Sequence, residues 1–214
     1  MATANRQLTQ NQRDRRARIL AATRKLVTDH GYDGTIMRDV AARADVSATT
    51  LYNLYNTKDE LLLAALRERI SESARLAATD APEPGYEYLL AHVHHVAQHT
   101  LAAPSYVAAI SQALFRAAPG DALVDVLIAE LRDNISRSLE RMRAAGELKP
   151  GINLMDLATR LAGAFWATFL LWSKGLIGLE ALEPTMRQGY LSALIPCTQA
   201  DVRADLEAQF NSAA

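Results

Sequence analysis

The chain has 214 residues, 50% of them hydrophobic and only 6% aromatic, with one cysteine and a net charge of −1. That length and apolar content provide a core for one large or two modest domains and exclude wholesale disorder, and the lone Cys197 excludes an intrachain disulfide framework and fits a reducing compartment. The charge is uneven: residues 1–70 carry 12 Lys and Arg against 8 Asp and Glu, and the remainder 11 against 16, as a phosphate-binding head on an acidic body would, although a swing of this size also arises by chance.

In chain order, residues 1–10 are polar and expected to fray, and the N-terminus has no apolar signal core. Over 11–30, Ile19, Leu20, Thr23, Leu26 and Val27 recur at helical spacing, and Gly31 suits the helix end. Thr35 is expected to cap a short helix over 36–44. Residues 45 and 46 make a tight turn, and Ser47 is expected to cap a third helix over 48–54. Asn56 and Thr57 interrupt the pattern. Lys58 then opens a longer helix with Leu61, Leu62, Leu66 and Ile70 on one face. Residues 79–85, with two prolines and a glycine, are the predicted boundary. The domains are therefore 1–57, a connecting helix 58–80, and a body 81–214. Further helices are predicted over 85–101, 104–117, 121–145, 153–174, 181–195 and 199–210, separated by prolines and glycines. No strand pattern is visible, and the fold class is all-α. The uncharged apolar stretch 161–172 has 12 residues, short of the ~20 that span a bilayer. It reads as a buried helix, with no membrane partner and a cytoplasmic location.

Helices 36–44 and 48–54 have the make-up of a helix-turn-helix, whose second helix enters a major groove about 12 Å wide. Val40, Ala41, Ala44, Val46 and Leu51 can form its inner core. Ser47, Thr49, Thr50, Tyr52 and Asn53 are left facing outward, where hydroxyls and amides reach phosphates and base edges. Tyr55 and Lys58 follow where a backbone phosphate would sit, Lys58 at a helix start that favours anions. Arg13, Arg15, Arg16 and Arg18 add a weaker nonspecific attraction.

The run Gly31-Tyr32-Asp33-Gly34-Thr35-Ile36-Met37-Arg38-Asp39-Val40-Ala41, followed by Ala44-Asp45-Val46-Ser47, Thr50-Leu51-Tyr52, Tyr55, Lys58 and Leu61-Leu62, resembles the N-terminal domain of the TetR family of bacterial transcriptional regulators. The resemblance covers roughly residues 13–66. Two positions depart from the family pattern. Asp45 stands where glycine is usual, and Asp tolerates a left-handed backbone. Tyr55 stands where phenylalanine is commoner, adding a hydroxyl that could reach a phosphate. The resemblance implies that Arg38 reaches a base or phosphate at the groove edge and that Ala48, Thr49 and Thr50 face the bases. It implies that Tyr52 and Asn53 contact phosphates or bases and that Lys58 holds the backbone. A packing role for Tyr52 and a solvated charge at Arg38 are the alternatives.

For the body, the resemblance implies ligand binding and dimerisation. The helices around 153–174 and 181–195 are the expected homodimer interface, since the first is apolar nearly all round; intrachain core is the alternative. His92, His95, His99, Tyr106, Phe115, Phe165, Trp166 and Phe169 are the candidate pocket residues, with ordinary core aromatics as the rival reading. The i, i+3, i+7 spacing of the three histidines would also suit a transition metal, against which pocket or surface histidines weigh more. No cofactor and no metal site are predicted. Neither a glycine-rich phosphate loop nor a nucleophile elbow is present, which argues against an enzyme. The expected function is a repressor released from a palindromic double-stranded DNA operator by an unidentified small hydrophobic or aromatic effector. A DNA-binding activator without effector is the alternative.

Overall fold

The computed structural model describes residues 9–83 and 85–212. Residues 1–8 of the segment expected to fray, and Pro84 of the expected boundary, lie outside the described residues. Among the described residues there are ten α-helices and no strand; Leu148 and Thr198 form an isolated antiparallel bridge.

The first unit ends at Glu68. Its helices are α1 (Gln10–Gly34), α2 (Met37–Arg43), α3 (Ala48–Leu54) and the start of α4 (Lys58–Asp80). A capping box starts α1: Thr9 Oγ1 accepts the Gln12 N–H at 3.3 Å, and the Gln12 side chain accepts the Thr9 N–H at 2.8 Å. Gly31 breaks its regular geometry at φ 75°, a region that glycine enters without steric penalty. Ile19, Leu20 and Leu26 of α1 pack with Val40, Ala41, Ala44, Leu51 and Leu61 into one small core.

Thr35 does not cap α2. Its side chain is buried, and its hydroxyl donates to the Gly31 carbonyl at 2.9 Å. The helix-breaking glycine leaves that carbonyl free, so Thr35 serves the end of α1 and Ile36 enters α2 without a side-chain cap. Ser47 does cap α3, accepting the Thr50 N–H at 3.0 Å. Asp45 turns the chain between α2 and α3 at φ 53°, the left-handed conformation that its position requires.

The second unit starts at Arg69. The parting therefore falls inside α4, upstream of residues 79–85, because no proline or glycine interrupts 58–80 and the helix runs on through both units. The second unit continues with α5 (Tyr86–Ala102), α6 (Pro104–Leu114), α7 (Ala122–Ala144), α8 (Leu154–Ser173), α9 (Leu182–Leu194) and α10 (Ala200–Ser212). Pro104 opens α6 at a position where its missing N–H is harmless. Three of these helices, α7, α8 and α9, pack in sequence, with α5 against α7 and α9. Leu89, Val93, Ile135, Leu139, Leu161 and Leu191 lie in their shared core.

By length and composition α8 could cross a membrane, and it is longer than the apolar stretch alone suggests. Its Leu157, Leu161, Phe165 and Phe169 are buried in the helical core. Only 33% of its most apolar window is buried within the chain.

Candidate functional site

In the first unit, Leu51 fixes α3 by burying its side chain completely in the small core. Thr49, Tyr52 and Asn53 stand at i, i+3 and i+4 and therefore share a face, and all three are exposed. Tyr52 is 51% exposed, which disposes of the packing alternative for its ring. Ala48 is exposed at the start of α3. Arg38 projects from α2 with a side chain 86% exposed, its Nε 3.8 Å from Asp39 Oδ1. An ion pair this open to water is weak, so the guanidinium is available to another anion.

Ser47 and Thr50 are partly engaged with each other. Their hydroxyl oxygens lie 2.8 Å apart and one of them also caps the helix. Their remaining hydrogen-bonding capacity faces outward.

Tyr55 differs from the expectation. It is 7% exposed and packs among Ile19, Leu20, Leu51 and Leu61, and burial raises its phenol pKa. As the residue that ends α3, it must turn inward to seal the core beneath Leu51, so its ring acts by packing. Lys58 also has a role that spacing could not reveal: its Nζ donates to the Asp33 carbonyl at 3.0 Å. The first turn of α4 carries Asp59 and Glu60, and Glu60 accepts the Asn56 N–H at 2.9 Å while Thr57 Oγ1 accepts the Glu60 N–H at 3.1 Å. These groups occupy part of the helix terminus at which a phosphate was expected.

Two exposed apolar side chains flank the polar face and escaped the sequence reading: Ile36 before α2 and Leu54 at the end of α3. Helical periodicity assigns apolar residues inward, and only the tertiary fold turns these two out.

In the second unit the candidate pocket residues are dispersed. His92 is buried and stacks on Tyr88, with ring centroids 6.2 Å apart. His95 Nε2 lies 2.6 Å from Asp80 Oδ2, and His99 Nδ1 lies 2.6 Å from Ser73 Oγ. His94, off the expected face, lies 2.8 Å from Glu183 Oε1. Each histidine thus has its own surroundings rather than a common ligand. Among the described residues no group of three or more His, Cys, Asp and Glu side chains is placed to hold a metal. Burial pushes the His92 pKa down to about 4. The His99 pKa is also lowered, by burial and then by Arg69, whose guanidinium donates to the His99 carbonyl.

Phe165, Trp166, Phe169 and Trp172 form a chain of ring contacts along α8, with Phe165–Trp166 and Phe165–Phe169 centroids 5.1 Å apart. Phe165 and Phe169 are core residues, and Tyr106 is buried on α6. Phe115 lies just past the end of α6 and is 36% exposed. It was expected inside the helix, but α6 stops at Leu114, and the following turn carries the ring outward. A separate shallow cleft is lined by Asp80, Glu87, His94, Glu183, Arg187 and Gln209 together with Leu90 and Ala91.

The family model described as "Bacterial regulatory proteins, tetR family" matches residues 19–65. The HTH-type transcriptional repressor KstR of Mycolicibacterium smegmatis is 30% identical over 166 residues, covering 75% of this chain and 78% of its own. Thermus thermophilus FadR, a TetR-family repressor solved in complex with lauroyl-CoA, is 27% identical with a TM-score of 0.56, covering 81% of this chain and 92% of its own. The regulator TylP of Streptomyces fradiae superimposes with a TM-score of 0.64 at 19% identity, covering 94% of this chain and 96% of its own.

Proposed function

The chain belongs to the TetR family of bacterial regulatory proteins, DNA-binding regulators rather than enzymes, and on that footing we propose that it is a homodimeric repressor released from a palindromic operator by a small apolar effector. The observation that carries this reading is the exposed polar face of α3, with Thr49, Tyr52 and Asn53 opposite the buried Leu51. Arg38 of α2 extends that face. Hydroxyl, phenol and amide groups at this spacing suit base edges and phosphates in a major groove. Ala48 and Thr50 add a methyl and a hydroxyl to the same end of α3, and Ile36 and Leu54 can meet thymine methyls or sugars at its margins. Lys58 contributes mainly by holding the Asp33 carbonyl, with a secondary attraction for the DNA backbone.

Repression and effector response follow the relatives' pattern. KstR is named a repressor, and FadR binds lauroyl-CoA. The effector site belongs to the second unit, whose apolar core is separate from that of the first. Helix α4 is the covalent element common to both units, and effector binding acts through it by favouring a conformation with weaker operator affinity. A two-fold operator needs a two-fold reader. The outer stripe of α8, with Met155, Thr159, Gly163, Ala167 and Leu170 exposed and uncharged, supports self-association through α8 and α9. A regulator of DNA acts in the cytoplasm.

Selection of an operator from random duplex DNA, followed by affinity measurements, tests the reading. Arg38→Ala, Thr49→Ala and Tyr52→Ala are each expected to weaken operator binding by about 1–3 kcal/mol if they read bases. Enrichment of no sequence, or wild-type affinity in all three variants, removes the proposed interface.

A further inference from the structure

Two packed helices of the second unit, α5 and α7, each bury a hydrogen-bonding atom that has no partner. On α5, His92 stacks over Tyr88 one turn away and is buried, with its Nε2 unpaired. On α7, Ser138 is fully buried with its Oγ unpaired. Hydroxyls on helices commonly donate to the carbonyl one turn back, as Thr100 and Thr168 do in this protein. Ser138 does not. Buried polar groups are nearly always paired, so an unpaired one calls for a specific explanation.

The two atoms adjoin a cation. Arg137 precedes Ser138, is exposed, and donates to the buried Asn134 side chain. Its charge reaches Tyr88, opposing the rise in phenol pKa that burial causes. Since α5 packs against α7, the Tyr88–His92 face lies toward the Asn134–Arg137–Ser138 face, whose members stand at i, i+3 and i+4. Burial keeps His92 neutral. Its Nε2 therefore donates or accepts according to tautomer, and the Ser138 hydroxyl does either. One carbonyl or hydroxyl oxygen can satisfy both. Arg137 repels a cationic ligand and attracts an anionic one.

We propose that the α5–α7 seam takes the polar end of the effector, and that the effector is an apolar anion with an oxygen held by His92 and Ser138 and a negative charge against Arg137. This deepens the effector reading above and rests on it. The apolar surroundings, with Leu89 and Val93 on α5 and Ile135 and Leu139 on α7, take the remainder of such a molecule.

Sodium dodecanoate and dodecan-1-ol share a chain and differ in charge, which makes them the probes. Binding to the full-length protein is followed by calorimetry and by the fluorescence of Trp166 and Trp172, with operator affinity measured in parallel. Dodecanoate is expected to bind at least about ten-fold more tightly than dodecanol, in keeping with a charge-assisted contact. Arg137→Gln should collapse that preference to within about two-fold. Ser138→Ala should weaken both probes about five-fold while leaving Tm unchanged or raised, because it removes an unpaired hydroxyl at nearly constant shape. Equal binding of the two probes overturns the proposal, as does an undiminished preference in Arg137→Gln. Wild-type affinity in Ser138→Ala with a raised Tm marks that hydroxyl as a packing defect and overturns its role. Failure of both probes to bind a protein that still holds its operator overturns the effector class and leaves the repressor reading intact. Failure of the wild type to bind any operator strikes that reading instead.

Discussion

At the residue scale, two side chains sit where their ordinary chemistry is under constraint. Asp45 adopts φ 53° between α2 and α3. Left-handed backbone is unfavourable for most L-residues by roughly 1–2 kcal/mol, and Asp is among the few that tolerate it. Asp45→Gly should therefore hold or raise stability, whereas the β-branched Asp45→Val should lose more than about 1 kcal/mol. Urea titration of both variants measures the difference, and equal stabilities would contradict the strained turn. His92 is the second case. Its pKa falls from 6.5 to about 4 because burial disfavours the imidazolium. Between those values the unfolded chain binds the proton and the native state does not. The stability of the neutral form is thus fully present above pH 6.5 and is lost as pH falls toward 4, by roughly 3 kcal/mol in all. The lowered pKa of His99 acts in the same direction. His92→Leu should flatten most of the slope of unfolding free energy between pH 6.5 and 4.5, and an unchanged slope would assign it elsewhere.

At the element scale, close packing of α8 on α9 decides what each position can hold. A Cβ built on Gly189 of α9 would lie 2.8 Å from the Ala164 Cβ of α8. Such a separation forces the helices apart. Gly189→Ala should destabilise the second unit by about 1–3 kcal/mol through overpacking, although alanine is the better helix former by about 1 kcal/mol. Gly163→Ala on α8 is the control. Nothing lies within 4 Å of its Cβ, so intrinsic propensity should prevail in the isolated protomer. Thermal unfolding distinguishes the two, and stabilisation by Gly189→Ala would show that the crossing relaxes without penalty. The same scale explains Thr35. A hydroxyl residue before a helix suggests a cap, but the carbonyl left by Gly31 lies within reach and takes its proton.

At the scale of the whole molecule, the chain holds two cores, one on each side of a break within α4. Helix α8 is apolar enough to span a membrane, yet only 33% of its most apolar window is buried by its own chain. An apolar helix surface left in water favours association. Charge placed on the outer stripe should therefore oppose self-association without disturbing the core, since Ala167 and Leu170 are exposed in the protomer. Ala167→Glu and Leu170→Glu are expected to shift sedimentation equilibrium toward monomer and to weaken operator binding with it. Variants that remain dimeric would move the interface off this stripe.

The sequence by itself determined the all-α class, the helix-turn-helix and most helix boundaries. These rest on local rules: apolar residues at helical spacing, a serine at the start of α3, prolines and glycines between elements. It also identified the outward face of α3, because Leu51 must point inward and Thr49, Tyr52 and Asn53 then cannot. Tertiary structure alone decided what depends on contacts between distant residues. Tyr55 was turned into the core by α1 and α4, and Lys58 was tied to Asp33, 25 residues away. The four histidines of α5 met four different surroundings. The division of the chain was likewise a tertiary outcome. Prolines at 82 and 84 mark where a helix must end, whereas compact units part where packing changes partners, and that change falls within an unbroken α4. Local sequence sets backbone preference one turn at a time; burial, pKa and partner choice are set by whatever the rest of the chain brings near.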